Sequence, residues 1–286
     1  MFENKVILIT GAASGLGLAL AEILCNTEAK LLLVDNNSDK LREICNRLIK
    51  RNSEIQSVVL DITDNEHMIL LNDKIKQSYK RLDILINSAG IIKEGYFKSI
   101  SNNEFHNVME VNYFGTINII RAVLDYLKES NGRIINIASL AGLQGAFGYS
   151  AYSASKHAIV GFSNCLRYEL KPFNVTVKVV CPSEFDSPMV NMLNFSRTLE
   201  NRANVLMINK YKVEFIAEKI IKNLYKNNFM MIPGTLAKIA AYMSLYFPRL
   251  TEKIVDWKIA SAFNKQKNTI FKAGFTNDPI EEKLNN

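Results

Sequence analysis

Histidine is scarce in this chain of 286 residues, and its three copies, His67, His106 and His157, stand far apart. They have no metal-ligand spacing, so no metal site is expected. The four cysteines, Cys25, Cys45, Cys165 and Cys181, include no C-x-x-C pair and are too dispersed for a disulfide framework. Reduced thiols in a cytoplasmic protein fit that pattern better. Long apolar runs are missing too. An uncharged stretch of 22 residues, Ile134 to Ser155, holds Asn136, Gln144, Gly142, Gly145 and Gly148, and reads as strand, loop and helix start. A membrane span needs about 20 mostly apolar residues. No secretory leader is expected, because an apolar strand pattern already begins at Val6. There is no repeat, low-complexity segment or flexible linker.

What is present is ordinary in bulk: 48% hydrophobic and 22% charged residues suit a soluble globular protein. The net charge of +7 is unevenly placed. Between Gly234 and Lys272 seven basic residues face two acidic ones, a surplus of five that is most of the total. No nucleic-acid motif accompanies it, so no nucleic-acid partner is expected.

Short apolar runs rich in β-branched residues read as strands: Lys5–Thr10, Lys30–Asp35, Gln56–Leu60, Asp83–Asn87, Gly132–Ala138, Val175–Cys181 and Phe229–Ile232. Helix-length segments alternate with them: Gly15–Thr27, Asp39–Arg51, Asp64–Tyr79, Glu104–Ser130, Tyr152–Lys171 and Lys212–Asn227. The alternation predicts an α/β fold, a single doubly wound parallel sheet with helices on both faces. Ser38 or Asp39 is the expected cap of the second helix.

The first strand runs into Thr10-Gly11-Ala12-Ala13-Ser14-Gly15-Leu16-Gly17 and then a helix. Glycines there allow a tight turn and close approach of a pyrophosphate, which the helix N-terminus stabilises. That strand–loop–helix context is what dinucleotide binding requires. Asp35 ends the second strand, 18 residues beyond Gly17. A carboxylate there accepts hydrogen bonds from the ribose hydroxyls and repels a 2′-phosphate. Asn36 and Asn37 follow instead of a basic residue, and position 14 is Ser. All three details favour NAD over NADP. Asp61, before Ile62 and Thr63, closes the third strand and suits the adenine amine or a helix N-cap. Asn87-Ser88-Ala89-Gly90 supplies small residues where ribose and nicotinamide would lie.

With Asn112, Ser139 and Tyr152-Ser153-Ala154-Ser155-Lys156, these motifs resemble the short-chain dehydrogenase/reductase family over about residues 2 to 232. The resemblance implies a Rossmann-like fold and an alcohol–ketone hydride transfer. It implies catalytic roles for Asn112, Ser139, Tyr152 and Lys156. It further implies dinucleotide contacts from Gly11, Ser14, Gly15, Leu16, Gly17, Asp35, Asp61, Ile62, Asn87, Ala89, Gly90, Tyr152, Lys156, Pro182, Phe185 and Ser187. Ser183 stands where the family usually has glycine, a place that tolerates a β-carbon if φ is negative, and Ser187 stands where a Thr is common. Physically, residues i and i+4 share a helix face, so Tyr152 and Lys156 project together. A phenol titrates near 10, and a neighbouring ammonium lowers that value. Tyr149 pairs in this way only with Ser153. Tyr152 is therefore the expected base. Ser139, at a strand end, is placed to bond the substrate oxygen. Ser150, Ser153 and Ser155 read as helix-start serines. Asn112 would support a water-mediated proton relay.

Residues 189–211, rich in Met, Leu and Phe, correspond to the family's substrate lid; they suggest a lipophilic alcohol or ketone, or equally packing against the core or another subunit. Beyond a catalytic domain of residues 1–232 runs a helical extension, 233–286. In it Leu236, Ile239, Ala240, Met243 and Phe247 form one stripe, widened by Tyr242, Leu245 and Tyr246. A basic, aromatic-rich helix fits either another subunit or, through 234–263, the inner face of a membrane. A homodimer or homotetramer is expected from the family. Two rivals stand beside the NAD-linked alcohol dehydrogenase: an NADPH-linked 3-oxoacyl or 3-oxosphingoid reductase, and a catalytically idle dinucleotide-sensing or membrane-docking scaffold.

Overall fold

A computed structural model describes residues 2–51, 54–205 and 210–272. Strands and helices alternate through the first half: β1 (Val6–Thr10), α1 (Gly15–Leu24), β2 (Lys30–Asp35), α2 (Ser38–Leu48), β3 (Ile55–Val59), α3 (Asn65–Ser78) and β4 (Ile84–Asn87). Next come α4 (Asn102–Met109), α5 (Gly115–Glu129), β5 (Arg133–Ile137), α6 (Ser150–Leu170) and β6 (Thr176–Val180). The remainder is mostly helical: α7 (Pro188–Ser196), α8 (Leu199–Val205), α9 (Val213–Asn223), the two-residue β7 (Met230–Met231), α10 (Thr235–Tyr246) and α11 (Pro248–Lys272).

The seven strands form one sheet in the order β3-β2-β1-β4-β5-β6-β7, and every pairing is parallel. Covering both faces with helices explains why β1 and β4 are apolar almost throughout: Ile7, Leu8, Ile9, Leu85 and Ile86 are fully buried. One face packs Leu20, Leu24, Ile216 and Ile220 of α1 and α9. The other packs Leu71, Ile75, Ile119 and Val123 of α3 and α5. After β3 the chain returns to the other side of β1 to make β4, so strand order reverses between β1 and β4. A crevice opens at the carboxyl ends of strands at such a reversal.

Local chemistry sets the helix starts. Asn37, rather than Ser38 or Asp39, caps α2 by accepting from Lys40 N at 3.0 Å. Asp64 caps α3, and Ser101 forms a reciprocal capping box with Glu104 at the start of α4. The segment expected to be one helix over Glu104–Ser130 begins earlier, at Asn102, and is interrupted by a π turn over Glu110–Phe114. The last strand is shorter than its apolar run, and α9 stops at Asn223 rather than Asn227. Part of the expected lid, 206–209, and the chain beyond 272 lie outside the described residues.

Candidate active site

The crevice at the strand reversal is a cleft of about 550 Å³. Its floor begins with the turn after β1. Gly11 has φ +66°, and a Cβ there would stand 2.8 Å from Ala89 Cα. Gly15 has φ +51°, which L side chains rarely adopt. The Ser14 side chain caps nothing, so the first N–H groups of α1 face the cleft without a side-chain acceptor. These features fit the phosphates of a dinucleotide. Asp35 lines the cleft at the end of β2. Its carboxylate accepts from Ala13 N and Asn37 N, both at 2.9 Å, so it also holds the glycine turn in place.

Gly11, Ser14, Gly15, Leu16, Asp35, Asp61, Ile62, Ala89, Gly90, Tyr152, Lys156, Pro182, Phe185 and Ser187 all line this cleft. Gly17 and Asn87 stand behind its wall. At Gly17 a Cβ would lie 2.2 Å from Gly11 O, so the glycine lets the helix press onto the turn. The Asn87 amide donates to Asn136 Oδ1 at 2.9 Å, and Asn136 donates on to Ser163 Oγ at 2.9 Å. Asp61 does not cap α3; its carboxylate accepts from Thr63 N and Oγ1 and shapes the turn. Ser183 is buried with φ outside the left-handed region, so its β-carbon costs no backbone strain.

Tyr152 and Lys156 lie one turn apart on α6, with Lys156 Nζ 5.7 Å from the Tyr152 ring centre. The ammonium donates to Ile137 O at 3.0 Å, which holds it at the end of β5. Burial lowers Lys156 to about 8. Burial also pushes the Tyr152 phenol up to about 12; a hydrogen bond from Ser139 offsets part of this and the Glu184 carboxylate adds to it. Near neutral pH the protein alone therefore presents a protonated phenol beside a cationic lysine. Such a phenol is ready to donate a proton. Gly90 keeps the corner open, since a Cβ there would meet Asn112 Oδ1 at 2.9 Å and Lys156 Nζ at 3.5 Å.

Asn112 sits in the π turn, and its side chain is fully engaged. Its amide donates to Ile91 O and to Ser155 Oγ, both at 2.9 Å, while Oδ1 accepts from Ile91 N at 2.7 Å. Ser155 is thus a buried link between Asn112 and Tyr152 O (2.7 Å) rather than a helix-start serine. The π turn itself is a local irregularity of a kind frequent at functional sites.

One cluster escaped sequence reasoning. Arg197, at the end of the lid helix α7, donates to Tyr149 Oη at 2.6 Å and forms an ion pair with Glu184. Arg197 is buried, and Glu184 lines the cleft. Burial and Glu184 raise the Tyr149 phenol, which Arg197 only partly offsets. An Arg just beyond the apolar run Met189–Phe195 was the available signal. Glu94 accepts from Thr198 Oγ1 at 2.6 Å, a second tie between lid and body.

The sequence model of a family described as short chain dehydrogenase matches residues 5–198. The 3-ketodihydrosphingosine reductase of Bos taurus is 34% identical over 229 residues, which is 78% of this chain and 69% of that protein. Two solved structures share the fold. A short chain dehydrogenase/reductase from Burkholderia phymatum in complex with NAD superposes with a TM-score of 0.78 at 23% identity, covering 87% of this chain and 95% of that one. A short chain dehydrogenase from Burkholderia cenocepacia in complex with NADP gives 0.76 at 25%, covering 89% and 98%.

Proposed function

The chain belongs to the short-chain dehydrogenase family and is an oxidoreductase; from that premise we propose that it interconverts a lipophilic secondary alcohol and its ketone with NAD(H). The observation that carries this is the Tyr152–Lys156 pair opening into a cleft whose lid side is apolar, with Leu143, Met189, Val190, Met243, Ile254 and Val255 around it. A nicotinamide dinucleotide in the cleft would supply or accept the hydride. Tyr152 gives its proton to the ketone oxygen in reduction and takes the hydroxyl proton in oxidation. Lys156 stabilises the phenolate and would hold the ribose of a bound cofactor, Ser139 orients the substrate oxygen, and Asn112 fixes the Ile91 turn beside Lys156. Asp35 at the adenosine end supports NAD, because it would repel a 2′-phosphate.

The protonated state of Tyr152 near neutral pH favours ketone reduction there, and the name of the bovine relative gives that direction and a 3-keto sphingoid substrate for the relative. An NADPH-linked 3-oxoacyl or 3-oxosphingoid reductase is accordingly the second reading. Exposed Phe114 and Tyr168, on the π turn and α6, support pairing of these helices with a second copy. Free thiols at all four cysteines support a cytoplasmic setting. The direct test is turnover with NAD(H) and NADP(H) across alcohols and ketones graded from short polar to long-chain and steroidal, with Tyr152→Phe alongside. Activity confined to lipophilic members and lost in the variant supports the reading. Cofactor binding without turnover of any member would favour an idle scaffold.

A further inference from the structure

α10 is turned the opposite way from a helix that buries its largest side chains. Its inner side is made mostly of small residues: Ala237 is fully buried, and Ala240 and Ala241 face the cleft with Met243 as the one larger side chain beside them. Its outer side carries Leu236, Ile239, Tyr242, Leu245 and Tyr246, each between 47% and 69% exposed. Phe247 follows at 58%, and Leu250, Ile254 and Trp257 continue the surface along α11 at i, i+4 and i+7. Nine large apolar side chains within 22 residues of chain thus stand in water. A monomer rarely leaves such a contiguous patch without a partner.

Two further features say what the partner is. Lys238, Arg249, Lys253 and Lys258 lie among or beside these side chains, and none is in an ion pair among the described residues. The acidic Glu252 and Asp256 fall on a different face of α11 from Leu250, Ile254 and Trp257. The surface is therefore apolar and aromatic with unpaired cations, the composition of a helix that lies in a lipid interface. No helix among the described residues is long and apolar enough to cross a membrane. The cleft also reaches this surface. Ile254 and Met189 both line it and are each 37% exposed, so they form a greasy rim between lid and tail.

We propose that the outer face of α10 and α11 docks on an anionic lipid bilayer, with the mouth of the cleft at Met189 and Ile254 turned toward the lipid. Docking stands by itself; passage of a substrate from bilayer to cleft rests on the dehydrogenase reading. Trp257, the single tryptophan of the chain, is a built-in reporter. The full chain is titrated with phosphatidylcholine vesicles with and without phosphatidylserine, at several protein concentrations, and Trp257 emission is followed with lipids brominated on the acyl chains. A blue shift with quenching, strongest on the anionic vesicles, is expected. Lys238→Ala/Lys253→Ala should weaken partitioning about 30-fold, at roughly fivefold for each lysine near an anionic surface, while turnover of a detergent-dispersed substrate is unchanged. Leu245→Glu should abolish binding without changing the melting temperature.

An emission spectrum unmoved by either vesicle overturns docking. So does a blue shift that appears without lipid and grows with protein concentration, which would assign the face to a second copy. Vesicle binding by a protein inactive on every alcohol and ketone would leave docking standing and remove the enzymatic reading instead.

Discussion

Removing the Lys156 charge tests the site more sharply than removing the phenol, because the size of its effect follows from geometry. A unit charge at Lys156 Nζ, 5.7 Å from the Tyr152 ring centre, stabilises a phenolate by about 3 kcal/mol at an effective dielectric of about 20. That is about 2 pKa units. Lys156→Met should therefore move the acid limb of alcohol oxidation about 2 units upward. At any pH below both limbs the oxidation rate then falls about 100-fold. The sign follows from which form reacts: oxidation needs the phenolate, so a higher phenol pKa leaves less of it at a given pH. Because burial lowers Lys156 to about 8, the wild-type protein should show a second, shallower break where the ammonium deprotonates. The variant should lack it. The assay is kcat/KM for the alcohol against pH at saturating NAD, so that weakened cofactor binding is kept out of the comparison. An unmoved acid limb with only a raised KM for NAD would refute the electrostatic argument and leave Lys156 as a ribose holder.

Further tests address other parts of the molecule. Asp35→Asn keeps an acceptor for the glycine turn but removes the charge, and the ratio of kcat/KM for NADP to that for NAD should rise about 10-fold or more, since a hydrogen bond to a charged group contributes roughly 1.5–3 kcal/mol. An unchanged ratio would remove Asp35 from cofactor choice. Gly161 is exposed within α6, and a Cβ there meets nothing within 4 Å; Gly161→Ala should stabilise by about 1 kcal/mol in urea unfolding. Destabilisation instead would mean that this face of α6 packs against a second copy. Gly17→Ala, with its Cβ 2.2 Å from Gly11 O, should abolish dinucleotide binding, read by calorimetry. Burial of Asp83 works against its charge, but hydrogen bonds from Arg81, Lys5 and Val6 N outweigh this and hold its carboxyl below the usual range. Its contribution is present above the unfolded-state value near 4 and is lost as pH falls through the lower folded value. Asp83→Asn should cost about 2 kcal/mol at pH 7, less than the roughly 3–5 for breaking a fully buried pair because Arg81 is half exposed. It should also flatten the loss of stability on acidification over that window.

The sheet was legible because parallel strands buried on both faces must be short, apolar and β-branched, and Val6–Thr10 and Ile84–Asn87 are little else. The glycine turn was legible because its residues answer to backbone geometry rather than to partners far away in sequence. Helix ends were less so: Asn37 and Ser38 are both good caps, and only the turn held by Asp35 decides that Asn37 takes the position. The π turn at Asn112 had no local signal. It follows from one amide having to reach Ile91 and Ser155 together, partners 21 and 43 residues away.

The two tyrosines show where periodicity stops being enough. Spacing alone separates Tyr152, which has a lysine one turn on, from Tyr149, which does not. It cannot say what Tyr149 is for, because the answer lies in Arg197, 48 residues downstream. The same limit holds in α10. A stripe of apolar residues says that one side of the helix seeks an apolar neighbour, but not whether that neighbour is the protein. On this helix the side with the larger residues faces out, because Ala237, Ala240 and Ala241 let the backbone lie close over the cleft. Close approach at the wall of a cavity selected the small side, and the side richer in apolar area was left to whatever the molecule rests on.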